Sequence, residues 1–82
     1  MDLNITAHTR TRLSLKRIRE IAGLTTAEQA RNMGYSSYRN IHDIEKRLDW
    51  HLSTIGAFIS AAGGHAELVV RINGEELQFP IA

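Results

Sequence analysis

Between Ser36 and Arg47 the chain reads SSYRNIHDIEKR, with Ser37, Tyr38, Arg39, Asn40 and His42 crowded into six positions. These residue types suit the reading of nucleic-acid bases rather than bond-making chemistry. Arginine can pair bidentately with guanine O6 and N7, and asparagine with adenine N6 and N7, each pair contributing ~1–3 kcal/mol of discrimination. Acid-base or nucleophilic chemistry is less well served. Asp43 and Glu45 have no evident nucleophile beside them, and Ser and His form no recognisable constellation. His8, His42, His51 and His65 are scattered without metal-ligand spacing, and no glycine loop precedes a helix to hold phosphates. The residues therefore predict no catalysis, no metal and no cofactor.

A short helix must present these side chains. Ile41 and Ile44 stand three apart on its inner face, and Ser36 or Ser37 can cap its start. Just upstream, Thr25 to Met33 reads as another short helix, opened by the Thr25-x-x-Glu28 capping box. Ala27, Ala30 and Met33 give it a small apolar face, and Gly34 can take the positive φ that ends it. A small-residue helix, a glycine turn and a second short helix with a polar outer face read as a helix-turn-helix. That motif holds its second helix in the DNA major groove. DNA candidates are thus Ser37, Tyr38, Arg39, Asn40 and His42, with Arg47 and Lys46 placed to follow onto phosphates.

Thr25 and Thr26 suit a phosphate at a helix start, although Thr25 can serve as a cap alone. Gln29 and Ser36 either touch DNA or satisfy local hydrogen bonds. Tyr35 is expected to pack in the core, with a sugar-phosphate contact as the alternative. Arg10, Arg12, Lys16, Arg17 and Arg19 can follow the backbone or stay solvated.

Around the motif, the pattern from about Arg10 to Ala22 is helical, with Leu15, Ile18 and Ile21 or Ala22 inside. Residues 48–52 connect to a fourth helix, Thr54 to Ala62, capped by Ser53 and carrying Ile55, Phe58, Ile59 and Ala62 inward. After Gly63-Gly64 the period becomes two. Residues 66–72 and 75–81 alternate around Asn73-Gly74, which predicts a hairpin with a type I′ turn. This register sets Val70 opposite Leu77, Leu68 opposite Phe79 and Ala66 opposite Ile81, with Arg71 facing Glu76 on the other side. A lone hairpin is marginal in water, so pairing with a second copy through Leu68, Val70, Leu77 and Phe79 is expected.

The 82 residues make one domain, divided into a flexible arm (1–9), a helical DNA-binding part (10–64) and a dimerisation hairpin (65–82). The fold class is mainly α with a C-terminal β-hairpin. A chain of this size buries only ~60–65% of its unfolded surface. It contains no cysteine, no apolar run of membrane-spanning length and no signal-peptide core near its start. A soluble cytoplasmic protein without a membrane partner is expected. Residues 1–47 hold nine Lys/Arg against five Asp/Glu, while residues 48–82 hold one against four. The basic half is the one that contains the motif, as phosphate neutralisation requires.

The run Gly23-Leu24-Thr25-Thr26-Ala27-Glu28-Gln29-Ala30-Arg31-Asn32-Met33-Gly34-Tyr35-Ser36 resembles the signature of Cro/phage-repressor-type (XRE) helix-turn-helix proteins. Ile44-Glu45-Lys46 resembles the end of that signature. Leu52-Ser53-Thr54-Ile55, with Ala61-Ala62-Gly63-Gly64-His65-Ala66-Glu67-Leu68-Val69-Val70-Arg71, is similar to the antitoxin-like branch typified by HipB and HigA. Over residues 12–72 the resemblance implies a lambda-repressor-like fold, a dimeric repressor with an intersubunit sheet, and a prokaryotic, phage or plasmid origin. It implies double-stranded DNA with a palindromic operator as partner. An antitoxin that also binds a toxin protein is the alternative, although no long toxin-neutralising tail follows Ala82. Two features depart from the pattern. Gln29 replaces the usual Leu, and one extra residue stands between Gly34 and Ile41.

Overall fold

A computed structural model describes residues 12–82. The expected arm over 1–9 and a helix start at Arg10 lie outside the described residues. Four helices and one antiparallel hairpin follow in order: α1 Leu15–Ile21, α2 Thr26–Asn32, α3 Arg39–Lys46, α4 Leu52–Ala61, β1 Glu67–Ile72 and β2 Glu75–Pro80.

Helix α1 starts at Leu15 because Ser14 is extended and its hydroxyl accepts from the amide of Arg17 at 3.1 Å. Its inner face corrects the expected stripe. Leu15, Ile18 and Arg19 point inward, while Ile21 is 73% exposed and Ala22 lies at the surface. Helix α2 opens with the predicted capping box: the Thr25 hydroxyl accepts from Glu28 N–H at 3.1 Å, and Glu28 Oε1 accepts from Thr25 N–H at 2.8 Å. The Thr25 backbone amide first, and then the Thr25 side chain, hold the Glu28 carboxyl below its ordinary pKa. At the other end, Gly34 takes φ +81° and Tyr35 N–H reaches back to Ala30 O at 2.9 Å, a Schellman closure. The inward face of α2 is Gln29, Ala30 and Met33, and Ala27 is exposed, so the expected small apolar face is rotated by part of a turn.

Helix α4 begins at Leu52, earlier than the expected Thr54, and Ser53 is no cap. His51 is extended and its carbonyl already accepts from the Thr54 and Ile55 amides at 3.0 and 3.1 Å, which starts the helix two residues sooner. Phe58 and Ile59 are buried, and Phe58 joins Leu15, Ala30, Ile41 and Ile44 in one core. This core draws on all four helices.

The hairpin has the predicted register, with Leu68 opposite Phe79, Val70 opposite Leu77 and Arg71 opposite Glu76. Asn73 and Gly74 both have positive φ, +50° and +81°, as a type I′ turn demands. Arg71 Nε donates to Glu76 Oε1 at 2.9 Å across the strands. Nearly every strand side chain is exposed, including Leu68, Leu77 and Phe79 at 39%, 44% and 47%. The hairpin therefore projects from the helical core.

Its seat on that core is Gly56. The Ile81 carbonyl lies so close to Gly56 that a Cβ there would collide with the backbone oxygen. Gly56→Ala should gain ~1 kcal/mol in helix propensity, yet overpacking costs typically ~1–3 kcal/mol. A net loss in melting temperature is expected, with faster amide exchange in β1 and β2. An unchanged or raised melting temperature would show that the strand end moves freely off α4.

Candidate nucleic-acid interface

Helix α3 is held on its inner side by Ile41 and Ile44, which are 0% and 4% exposed. That anchoring turns Arg39, Asn40, His42, Asp43 and Lys46 to solvent. The N-cap position is Tyr38, which makes no side-chain cap bond, so neither Ser36 nor Ser37 is the expected cap. Ser37 Oγ instead accepts from Arg39 N–H at 3.1 Å in the turn just before the helix. Tyr38 and His42, one turn apart, meet edge to face with ring centroids 5.6 Å apart. Arg39, Asn40 and His42 thus share the exposed N-terminal half of α3, where a recognition helix reads bases.

An open groove of about 520 Å³ separates α2 from the turn into α3. It is lined by Ala27, Ala30, Arg31, Tyr35, Ser36, Ser37 and Tyr38. Tyr35 is 39% exposed there and is not the core residue expected of it. The turn between α2 and α3 brings both tyrosines to this groove. Arg31 shares it, a position that reads in sequence only as another solvated helix charge.

Gln29 is corrected outright. It is 0% exposed, its Nε2 donates to Phe58 O at 2.9 Å, and it cannot reach a DNA surface. Its amide ties α2 to α4, as does Asn32 Nδ2 to Ala61 O at 3.0 Å. Gln29 Oε1 has no partner. Leucine at this position should therefore stabilise the fold by ~1 kcal/mol, because it removes a buried orphan acceptor. Phe58 O is not stranded by the change, since Ala62 N–H also donates to it at 3.1 Å. A lower melting temperature for Gln29→Leu than for the parent would show that the amide bond outweighs the orphan.

Arg19 is also corrected: it is not solvated and does not lie along a DNA backbone. Its Nε and Nη2 donate to Glu45 Oε2 and Oε1 at 2.7 and 3.3 Å, and Nη1 donates to Leu24 O at 2.9 Å. The hydrogen bond to Glu45 raises the guanidinium pKa above its already high ordinary value, against the opposing effect of burial. One side chain thus fixes α1, the turn into α2 and the inner flank of α3. At the far end of α3, Trp50 Nε1 donates to Ile44 O at 2.7 Å and closes the helix. A lone tryptophan two residues before a helix was the available sequence signal for this cap.

Of the remaining candidates, Thr26 is half-buried beside the Thr25 cap, and Ser36 and Arg47 are exposed. The amide of Thr25 is taken by Glu28, which puts the protein's own carboxylate at that helix start. Lys16, His42 and Lys46 border a smaller cleft, of about 210 Å³, between α1 and α3. Among the described residues no group of His, Asp and Glu is arranged to hold a metal ion, and no helix is long and apolar enough to cross a membrane.

These elements define a helix-turn-helix fold with a C-terminal antiparallel hairpin. No protein-family model matches the chain, and no curated protein matches it either. Among solved structures it is similar to the one described as "Induced DNA bending by unique dimerization of HigA antitoxin". The two share 26% identity and superpose with a TM-score of 0.68 over 80% of this chain and 87% of the other.

Proposed function

We propose that this chain is a sequence-specific DNA-binding repressor that acts as a homodimer on a palindromic operator. The observation that carries the reading is the buried Ile41 and Ile44 anchoring of α3, which leaves Arg39, Asn40 and His42 in the open. The contacts to DNA would come from Thr26, Ser36, Ser37, Tyr38, Arg39, Asn40, His42 and Arg47. The positive charge of the first half of the chain supports the placement. Two copies would set their α3 helices into successive major grooves about one helical turn apart. Leu68, Leu77 and Phe79, exposed on the hairpin, and the half-buried Val70 would join the copies.

A second reading is favoured by the likeness to a HigA antitoxin. In it the same dimer represses its own operon and also neutralises a toxin protein. Neither reading calls for catalysis or a cofactor, and both are those of a soluble cytoplasmic protein.

Binding to the DNA upstream of its own gene, titrated in salt with nonspecific competitor, tests the first reading. Competitor-resistant protection of a palindrome is expected, with log K falling against log salt by ~0.9 per phosphate contacted. Binding that competitor abolishes would refute it. Co-expression with the neighbouring reading frames tests the second reading: a toxic neighbour silenced by forming a complex with this chain supports it.

A further inference from the structure

The open edge of β1 is complementary to itself. Strand β2 covers one side of β1, and among the described residues nothing pairs with the other. Ile81 N–H bonds to Ala66 O at 3.0 Å, which fixes the alternation along the ladder. Residues Ala66, Leu68, Val70 and Ile72 spend their backbone groups on β2. Glu67, Val69 and Arg71 therefore turn their N–H and C=O groups outward. All three have exposed side chains.

We infer that two copies join edge to edge through β1, antiparallel and centred on Val69, into a four-stranded sheet ordered β2-β1-β1-β2. The inference rests on the homodimer of the proposed function and names its edge and register. With Val69 on the two-fold, Glu67 of each copy falls opposite Arg71 of the other. Both ends then carry an oppositely charged cross-strand pair, and each of the three outward residues exchanges both backbone bonds with its opposite number. On the other face Leu68 falls opposite Val70 of the second copy, twice over. Those contacts merge the exposed apolar faces of the two hairpins. Arg71 already bonds Glu76 through Nε, and its remaining guanidinium donors are free to take the incoming carboxylate.

The β2 edge offers no such match. Its outward residues are Glu76, Gln78 and Pro80. Pro80 has no N–H to give, and centring on Gln78 would set Glu76 against it. Centring on Glu76 would oppose like charges. Polarity and charge thus select one edge, as an isologous interface requires.

The test exploits the symmetry. Glu67→Arg and Arg71→Glu, made separately, each place like charges opposite one another at both ends of the junction. Each variant should dimerise roughly tenfold to thirtyfold more weakly in sedimentation velocity. An equimolar mixture of the two has every pair opposite again, and should sediment as dimer at a concentration where each alone is mostly monomer. Val69→Cys in this cysteine-free chain should form a disulfide-linked dimer on mild oxidation, and Gln78→Cys should not.

If the parent dimerises and both charge variants match it, the junction lies elsewhere and the inference falls while the homodimer stands. If the variants weaken but the mixture gives no recovery, the register is wrong. A cross-link through position 78 and not 69 would assign the other edge. A parent that stays monomeric, both free and on DNA, removes the homodimer itself and this inference with it.

Discussion

Glu45→Ala is expected to lower the unfolding free energy by ~3–5 kcal/mol, the usual cost of stripping one partner from a buried ion pair. The Arg19 and Glu45 side chains are only 10% and 7% exposed, so water does little to replace the lost carboxylate. Removing it leaves the guanidinium with Leu24 O as its remaining acceptor, two charge-assisted bonds short. Small domains hold ~5–15 kcal/mol in total, and each kcal/mol moves the melting temperature of such a chain by ~4–8 °C. A fall of more than about 10 °C in a thermal melt should follow. The pair is not an efficient source of stability, however, because both charges were desolvated to make it. Arg19→Met combined with Glu45→Leu should recover most of the loss, giving a large coupling energy in the double-mutant cycle. A single variant that melts within a degree or two of the parent would mean that water solvates the pair after all.

The same pair marks where sequence reading stops. The hairpin was legible because its information is local: Asn73-Gly74 sets the turn, the turn sets the register, and alternation sets the faces. The capping box at Thr25 and Glu28 and the stop at Gly34 were legible for the same reason. Arg19 lies on a helix full of charges, and its partner is 26 residues away, so nothing local separates it from its solvated neighbours. Gln29 departs from the apolar pattern of its family resemblance, and only the approach of Phe58 O from α4 explains how an amide is tolerated there. The start of α4 was misplaced because Ser53 is a good cap by type, whereas the backbone turns helical straight after His51. Among site residues, the outward set on α3 followed from the inner pair Ile41 and Ile44. The groove beside Arg31 and Tyr35 depended on the conformation of the turn between α2 and α3, which no local residue pattern sets.

Arg39→Ala and Asn40→Ala should each reduce operator binding far more than nonspecific binding. A bidentate base contact is worth ~1–3 kcal/mol, and a symmetric dimer loses it in both half-sites. The loss per dimer is then ~2–6 kcal/mol, about thirtyfold or more in Kd. Asn40 carries no charge, so its replacement should leave the salt slope and the nonspecific affinity nearly unchanged. Arg39 is a cation, and its replacement has a second way to weaken binding. If it meets a phosphate and not a base, specific and nonspecific affinity fall together and the salt slope drops by about one per site. Arg47, exposed just beyond the end of α3, should behave in that second way when changed to alanine. Salt titrations of the three variants on operator and random duplexes therefore sort base contacts from backbone contacts. Equal losses on both duplexes for Arg39 and Asn40 would remove the N-terminal half of α3 from base recognition. The reading would then move to the groove beside Tyr35 and Tyr38, which shares the same turn but not the same helix face.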